Sequence, residues 1–115
     1  MSKIRRLTKH LIASVTRVKE YIDEHPLENK STDELADLGG VGRNMLQGAF
    51  RELFGMKIKG YQTEQKMQVA KGLLEEGISI KKVARQCGYR SHSSFTTAFK
   101  NWVGQTPVEW KNKRA

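Results

Sequence analysis

This sequence has a single cysteine and no long apolar run, which argues against a disulfide-bonded protein and against a membrane-spanning one. Cys87 is the only cysteine among 115 residues, so the chain has no intramolecular disulfide and shows no sign of an oxidising compartment. No apolar run approaches the roughly 20 residues of a membrane span, and residues 1–16 lack the apolar core of a signal peptide. We therefore expect a cytoplasmic protein without a membrane partner.

The sequence also lacks the residue combinations that are typical of catalytic and metal-binding sites. The sequence offers no Ser/His/Asp or Cys/His set, no paired carboxylates and no glycine-rich phosphate loop. Its three histidines and Cys87 share no metal-ligand spacing. We therefore expect neither an enzyme nor a cofactor, metal or small-molecule site in this segment.

Positive charge is abundant. The chain has 21 lysines and arginines against 12 aspartates and glutamates, a formal net charge of +9, and a pI of about 9.9. This balance favours a polyanionic partner, either nucleic acid or an anionic membrane surface. A basic cluster near the start of the chain either contacts backbone phosphates or belongs to a disordered terminus. Its members are Lys3, Arg5, Arg6 and Lys9.

The first half of the chain carries three helical patterns. Apolar residues recur at helical spacing over 11–22 and stop before Pro26, which predicts a first helix. A capping box at Ser31 begins a short second helix, which Gly39 and Gly40 break by allowing positive φ. A third helix is expected to end at Gly55 and to be apolar on one side only. Its apolar positions are Leu46, Ala49, Phe50 and Leu53.

The second half carries four more helical patterns. A longer apolar pattern over 58–74 predicts a fourth helix, in which Gly72 is either closely packed or a weak point. Ser79 and Ser91 are the expected N-caps of a fifth and a sixth helix, and Thr106 caps a short seventh. The expected buried side of the sixth helix holds Phe95, Ala98, Phe99, Trp102 and Val103.

An internal repeat relates the two halves. A shift of 49 positions places Phe50 on Phe99, and a shift of 48 places Gly40 on Gly88. Two short helices about a glycine-containing turn, the second with a polar outer face, describe a helix-turn-helix, so the chain holds two. We predict an all-α protein of about seven helices, with a first helix-turn-helix subdomain over 8–56, a long linker helix over 57–77 and a second helix-turn-helix subdomain over 78–113.

These residues resemble the C-terminal DNA-binding domain of AraC/XylS-family transcriptional regulators. The most specific stretch is CGYRSHSSFTTAFKNWVGQTPVEW, from Cys87 to Trp110, and a weaker copy is LADLGGVGRNMLQGAFRELFGM. The resemblance implies two helix-turn-helix subdomains that each present a recognition helix to a major-groove segment of double-stranded DNA. It also implies activation rather than repression of transcription, and RNA polymerase as a partner near the nucleoid.

The resemblance assigns DNA-facing places to polar residues of both recognition helices. Gln47 and Asn44 suit the adenine edge in the major groove, whereas Arg43, Arg51 and Lys100 suit phosphates. The DNA-facing places in the first recognition helix are Arg43, Asn44, Gln47 and Arg51. Those in and around the second are Arg90, His92, Ser93, Thr96, Thr97 and Lys100.

Two readings of function remain open at this point. In the first, both helix-turn-helix units bind DNA in a sequence-directed way. In the second, only one unit engages DNA, and the other contacts RNA polymerase or another protein through short serine and threonine side chains. Base stacking on exposed aromatic rings is a weaker possibility, because every aromatic residue considered except Trp110 falls on or beside an apolar stripe.

Overall fold

The computed structural model describes residues 7–114, which form seven α-helices and no strand. The helices are α1 (Lys9–Glu24), α2 (Thr32–Gly39), α3 (Arg43–Phe54), α4 (Ile58–Glu75), α5 (Ile80–Gln86), α6 (His92–Val103) and α7 (Pro107–Arg114). The chain divides into two compact units, Met1–Gln62 and Thr63–Ala115. The predicted all-α class is confirmed. Within the described residues, no helix is long and apolar enough to cross a membrane. Lys3, Arg5 and Arg6 lie outside the described residues.

The first unit closes around the apolar face of α1. Thr8 caps this helix by accepting a hydrogen bond from the backbone N–H of Leu11 at 3.1 Å. Its predicted stripe is buried, and Phe50 of α3 is fully buried against the same cluster. The Phe50 ring lies 5.5 Å from that of Tyr61 in α4. Burial of one such aromatic side chain contributes about 1.5–3 kcal/mol, so α3 is held by its inner face while its outer face stays free.

The second unit repeats this plan with one exception to the sequence prediction. Phe95 and Phe99 of α6 are fully buried, but Trp102 is 43% exposed. Trp102 follows the apolar period of α6 and lies in the last turn of this helix, which ends at Val103. Trp110 is half-buried instead, with its ring 6.4 Å from that of Phe99.

Both helix-turn-helix turns use the same hydrogen bonds. In the first, Gly40 has φ 70° and the N–H of Val41 donates to the carbonyl of Ala36 at 3.0 Å. In the second, Gly88 has φ 83° and the N–H of Tyr89 donates to a carbonyl in α5 at the same distance. Such a turn needs one left-handed residue after the helix, which glycine provides without strain.

Gly39 does not break α2 as the sequence analysis predicts. It is the last residue of the helix, and only Gly40 after it has positive φ. A Cβ atom on Gly39 would lie 2.9 Å from Cγ2 of Val18 and 3.3 Å from the backbone oxygen of Ser14. Glycine is therefore required here by the close approach of α2 to α1.

The repeat also includes a cation and its aromatic partner. Nζ of Lys19 lies 5.3 Å from the ring centroid of Tyr61, and Nζ of Lys71 lies 5.0 Å from that of Trp110. Tyr61 and Trp110 are 49 positions apart, and the two lysines are 52 apart. Each unit therefore fixes its closing aromatic ring with a lysine from its first helical segment, through an attraction of about 0.5–2 kcal/mol.

Gly72 lies in the interior of α4, and nothing would meet a Cβ atom on it within 4 Å. Close packing is therefore not the reason for glycine at this position. We expect Gly72→Ala to raise the free energy of unfolding by about 0.5–1 kcal/mol, because alanine loses less backbone entropy in a helix. Urea unfolding followed by circular dichroism measures the change. Gly77→Ala, at φ 90°, is the matched control and should destabilise the chain.

Cys87 is fully buried, and burial raises the pKa of its thiol to about 11 because a thiolate loses its hydration there. An unfolded thiol ionises near pH 8.5, so the contribution of the neutral thiol to stability is complete below that pH and is lost as the pH rises to about 11. We expect the free energy of unfolding to fall more steeply over that window in the native chain than in Cys87→Ala. Parallel pH profiles would contradict this expectation.

Candidate nucleic-acid interface

The outer face of α3 is polar and exposed. Glycines at both ends, Gly42 as N-cap and Gly55 as C-cap, fix the length of this helix. Asn44, Gln47 and Arg51 lie on the exposed side, as the sequence predicts. They follow one another at helical spacing on one face, so a single ligand lying along the helix could contact all three at once.

Arg43, the fourth predicted residue of this helix, is exposed at its start. Its guanidinium lies 3.7 Å from a carboxylate oxygen of Asp33 in α2. Both side chains are more than half exposed, and an exposed pair of this kind contributes only about 0–1 kcal/mol. The pair can therefore open at little cost when a phosphate approaches Arg43.

A groove of about 350 Å³ runs along α3 and the start of α4. Gly48 contributes to its wall without a side chain, which leaves the space between Gln47 and Arg51 open. Lys57 and Lys59 complete the wall and add positive charge at the groove edge. These two lysines were not predicted from the sequence, because they follow the end of α3 and lie outside its helical pattern.

The outer face of α6 is also polar, but one predicted residue is turned inward. Ser91 caps this helix by accepting from the N–H of Ser94 at 3.1 Å. The hydroxyl oxygen of Thr96 is buried and has no hydrogen-bond partner among the described residues, so it is not presented at the surface. The predicted residues exposed on α6 are His92, Ser93, Thr97 and Lys100.

A second groove, of about 300 Å³, lies in the second unit between α5 and the start of α6. Arg90 and His92, both predicted from the sequence, line this groove. Lys81 and Arg85 of α5 line it too, and neither was predicted from the sequence. The signal that could have found them is the charge of α5 when the repeat is aligned, because α2 is acidic at the same places.

Positive charge is divided unevenly between the two units. Residues 7–62 carry eight lysines and arginines against eight aspartates and glutamates, whereas residues 63–115 carry ten against four. The second unit therefore has a net charge of +6, and the remaining +3 belongs to Lys3, Arg5 and Arg6. A polyanion is attracted more strongly to the second unit than to the described part of the first.

No three His, Cys, Asp or Glu side chains between residues 7 and 114 are grouped so that they could hold a metal ion. Cations line both grooves, joined by the amide of Gln47 in the first and by the hydroxyls of Tyr89 and Ser91 in the second. Such groups bind phosphates and base edges.

Comparison with known proteins places this arrangement in a family. The profile of a helix-turn-helix domain matches residues 35–113. The Xylose operon regulatory protein of Escherichia coli K12 is 29% identical over 100 residues, which are 86% of this chain and 26% of that protein. The chain thus spans about a quarter of the length of the curated relatives it matches.

Solved structures show the same fold. The DNA-binding domain of AdpA, described as a global transcriptional factor in complex with a target DNA, is 26% identical with a TM-score of 0.80. The similarity covers 87% of this chain and 91% of that domain. The xylose-binding transcription activator xylR is 28% identical with a TM-score of 0.74, over 95% of this chain and 28% of that protein.

Proposed function

Because the chain belongs to the AraC-type family of helix-turn-helix transcription regulators, we propose that it binds double-stranded DNA by inserting α3 and α6 into successive major-groove segments. The observation that carries this proposal is the recurrence of one exposed polar helix face, beside a cationic groove, in both units. Two such helices would read two blocks of sequence about one helical turn of DNA apart.

In this proposal the residues of α3 have different tasks. The amides of Gln47 and Asn44 pair with base edges, where a good bidentate contact discriminates by about 1–3 kcal/mol. Arg43 and Arg51 contact phosphates and set the register of the helix. Gly48 lets the backbone of α3 approach the floor of the major groove, since no side chain stands between them.

The residues of α6 offer shorter side chains. Ser93 and Thr97 donate or accept single hydrogen bonds at base edges, and Thr97 also presents a methyl group that fits against thymine. Lys100 contacts a phosphate near the end of the helix. Arg90 and His92 lie before and at its first turn, beside the second groove.

The regulatory role belongs to the same proposal. We infer that the DNA-bound chain activates transcription and contacts RNA polymerase, and the support is the likeness to a protein described as a transcription activator. Its place would then be the cytoplasm, at the nucleoid. Transcription from a promoter that carries the selected site, measured with and without the chain, tests activation against repression.

The second reading gives DNA to one unit and a protein partner to the other. The charge distribution argues against a second unit that binds protein instead of DNA, because that unit carries the larger positive charge. Footprint length discriminates the two readings. Protection across two major-groove segments supports the proposal, and protection across one segment supports the interaction module.

Selection of bound duplexes from a random DNA pool tests the proposed function. The winning duplex and a scrambled duplex are then titrated by fluorescence anisotropy across a salt series. We expect a motif of two blocks and much tighter binding to the selected duplex. Equal, steeply salt-dependent binding to both duplexes would contradict sequence-directed binding.

A further inference from the structure

The two helix-turn-helix units carry opposite charges on their first helices. A shift of 48 positions aligns α2 with α5. The aligned pairs are Asp33 with Lys81, Glu34 with Lys82, and Asp37 with Arg85. All six side chains are exposed, so the inversion is a property of the surface and not of the core. The two units therefore present unlike faces to a polyanion.

Lys81 and Arg85 both line the second groove, together with Arg90 and His92. No described residue forms an ion pair with Lys81, Arg85 or Arg90. Three guanidinium and ammonium groups therefore line about 300 Å³ of exposed groove, and their like charges favour an anion there. The aligned position in the first unit is different, because there Asp33 faces a cation, Arg43, at 3.7 Å.

We propose that this groove is a clamp for the phosphate backbone of DNA and that it contributes to the salt-dependent part of the affinity. This inference rests on the proposed function and deepens it. Lys81 and Arg85 hold the strand from α5, while Arg90 hydrogen-bonds it from the turn that leads into α6. The clamp positions α6 without reading sequence, since phosphates are the same at every base pair.

Lys82 provides the matched control within α5. It neighbours Lys81 and has the same charge, but it lines a different groove together with Glu76 and Gln86. Loss of Lys82 therefore changes the net charge of the chain as much as loss of Lys81 does, without touching the clamp. All three positions are exposed, so the variants should fold.

The experiment compares Lys81→Gln, Arg85→Gln and Lys82→Gln in the full chain, with the selected and the scrambled duplex between 50 and 200 mM salt. Each phosphate contact adds about 0.9 to the slope of log affinity against log salt. We expect Lys81→Gln and Arg85→Gln to lower that slope by about 0.9 on both duplexes. The affinity advantage of the native chain over either variant should then narrow about 3.5-fold across this salt range. Lys81→Arg should retain the native slope.

Two results would overturn the clamp. Equal slopes for Lys81→Gln and Lys82→Gln would show that the salt dependence follows the net charge of the chain and not the groove. An effect confined to the selected duplex would show that these side chains contact bases. Failure of the proposed function looks different, because it appears in the native chain as equal affinity for the selected and the scrambled duplex. The two failures are therefore distinguishable in one set of titrations.

Discussion

Replacement of Gln47 and Arg51 together by alanine should abolish most of the preference for the selected duplex. Both side chains are exposed on α3 and line the first groove. Loss of a bidentate base contact by Gln47 lowers the ratio of selected to scrambled affinity by about 5- to 150-fold, and loss of Arg51 weakens binding to both duplexes. Anisotropy titration of both duplexes at one salt concentration separates the two effects.

Met45→Ala is the control for this variant. Met45 is 46% exposed on the same helix, about 160° around its axis from Gln47. We expect Met45→Ala to keep the native affinity ratio. If the double variant keeps that ratio too, α3 is not the recognition helix, and the proposed reading of bases in the first unit fails.

Gly39→Ala should destabilise the chain by about 1–3 kcal/mol, although the same substitution at Gly72 is expected to stabilise it. The new methyl group would lie 2.9 Å from Cγ2 of Val18, a separation that real Cβ atoms do not tolerate. Val18 is β-branched and buried in α1, so it has no alternative rotamer into which it can move freely. The free energy of unfolding in urea measures the loss.

The second unit shows how the clash could be relieved. Ala70 lies 52 positions after Val18, the same separation as that of Lys19 and Lys71, and Cys87 lies 48 positions after Gly39. Both are buried, so the second unit has a residue smaller than valine at one place and larger than glycine at the other. We expect Val18→Ala to recover part of the loss in Gly39→Ala, so that the double variant is less destabilised than the two single effects added together. Strict additivity would mean that the two residues are not coupled.

Local signals explain why most of the fold could be predicted from the sequence. The cap at Ser31 is satisfied by Glu34 three residues later, and the caps at Ser79 and Ser91 also act within their own first turns. The exposure of a side chain at the end of a helix cannot be predicted from such local signals, because it depends on which other elements pack there. Trp102 follows the apolar period of α6 and is nevertheless exposed, because that period does not show whether another element packs over the last turn.

The candidate site was predictable where it lies on one helix and not where it joins two. Asn44, Gln47 and Arg51 share a face of α3 that the helical period defines directly. Lys81 and Arg85 form a groove only together with Arg90 and His92, which lie across the turn between α5 and α6. A helical pattern read along one segment does not reveal such a groove. The helical period of α6 also did not predict that the hydroxyl of Thr96 is buried, because its burial depends on packing at the edge of the apolar face.

One helix, α4, contributes residues to both units. The start of α4 supplies Tyr61 to the first unit as α7 supplies Trp110 to the second, and the later part of α4 supplies Lys71 as α1 supplies Lys19. Because α4 is continuous across residues 62 and 63, the chain passes from the first unit to the second within a helix and without a loop.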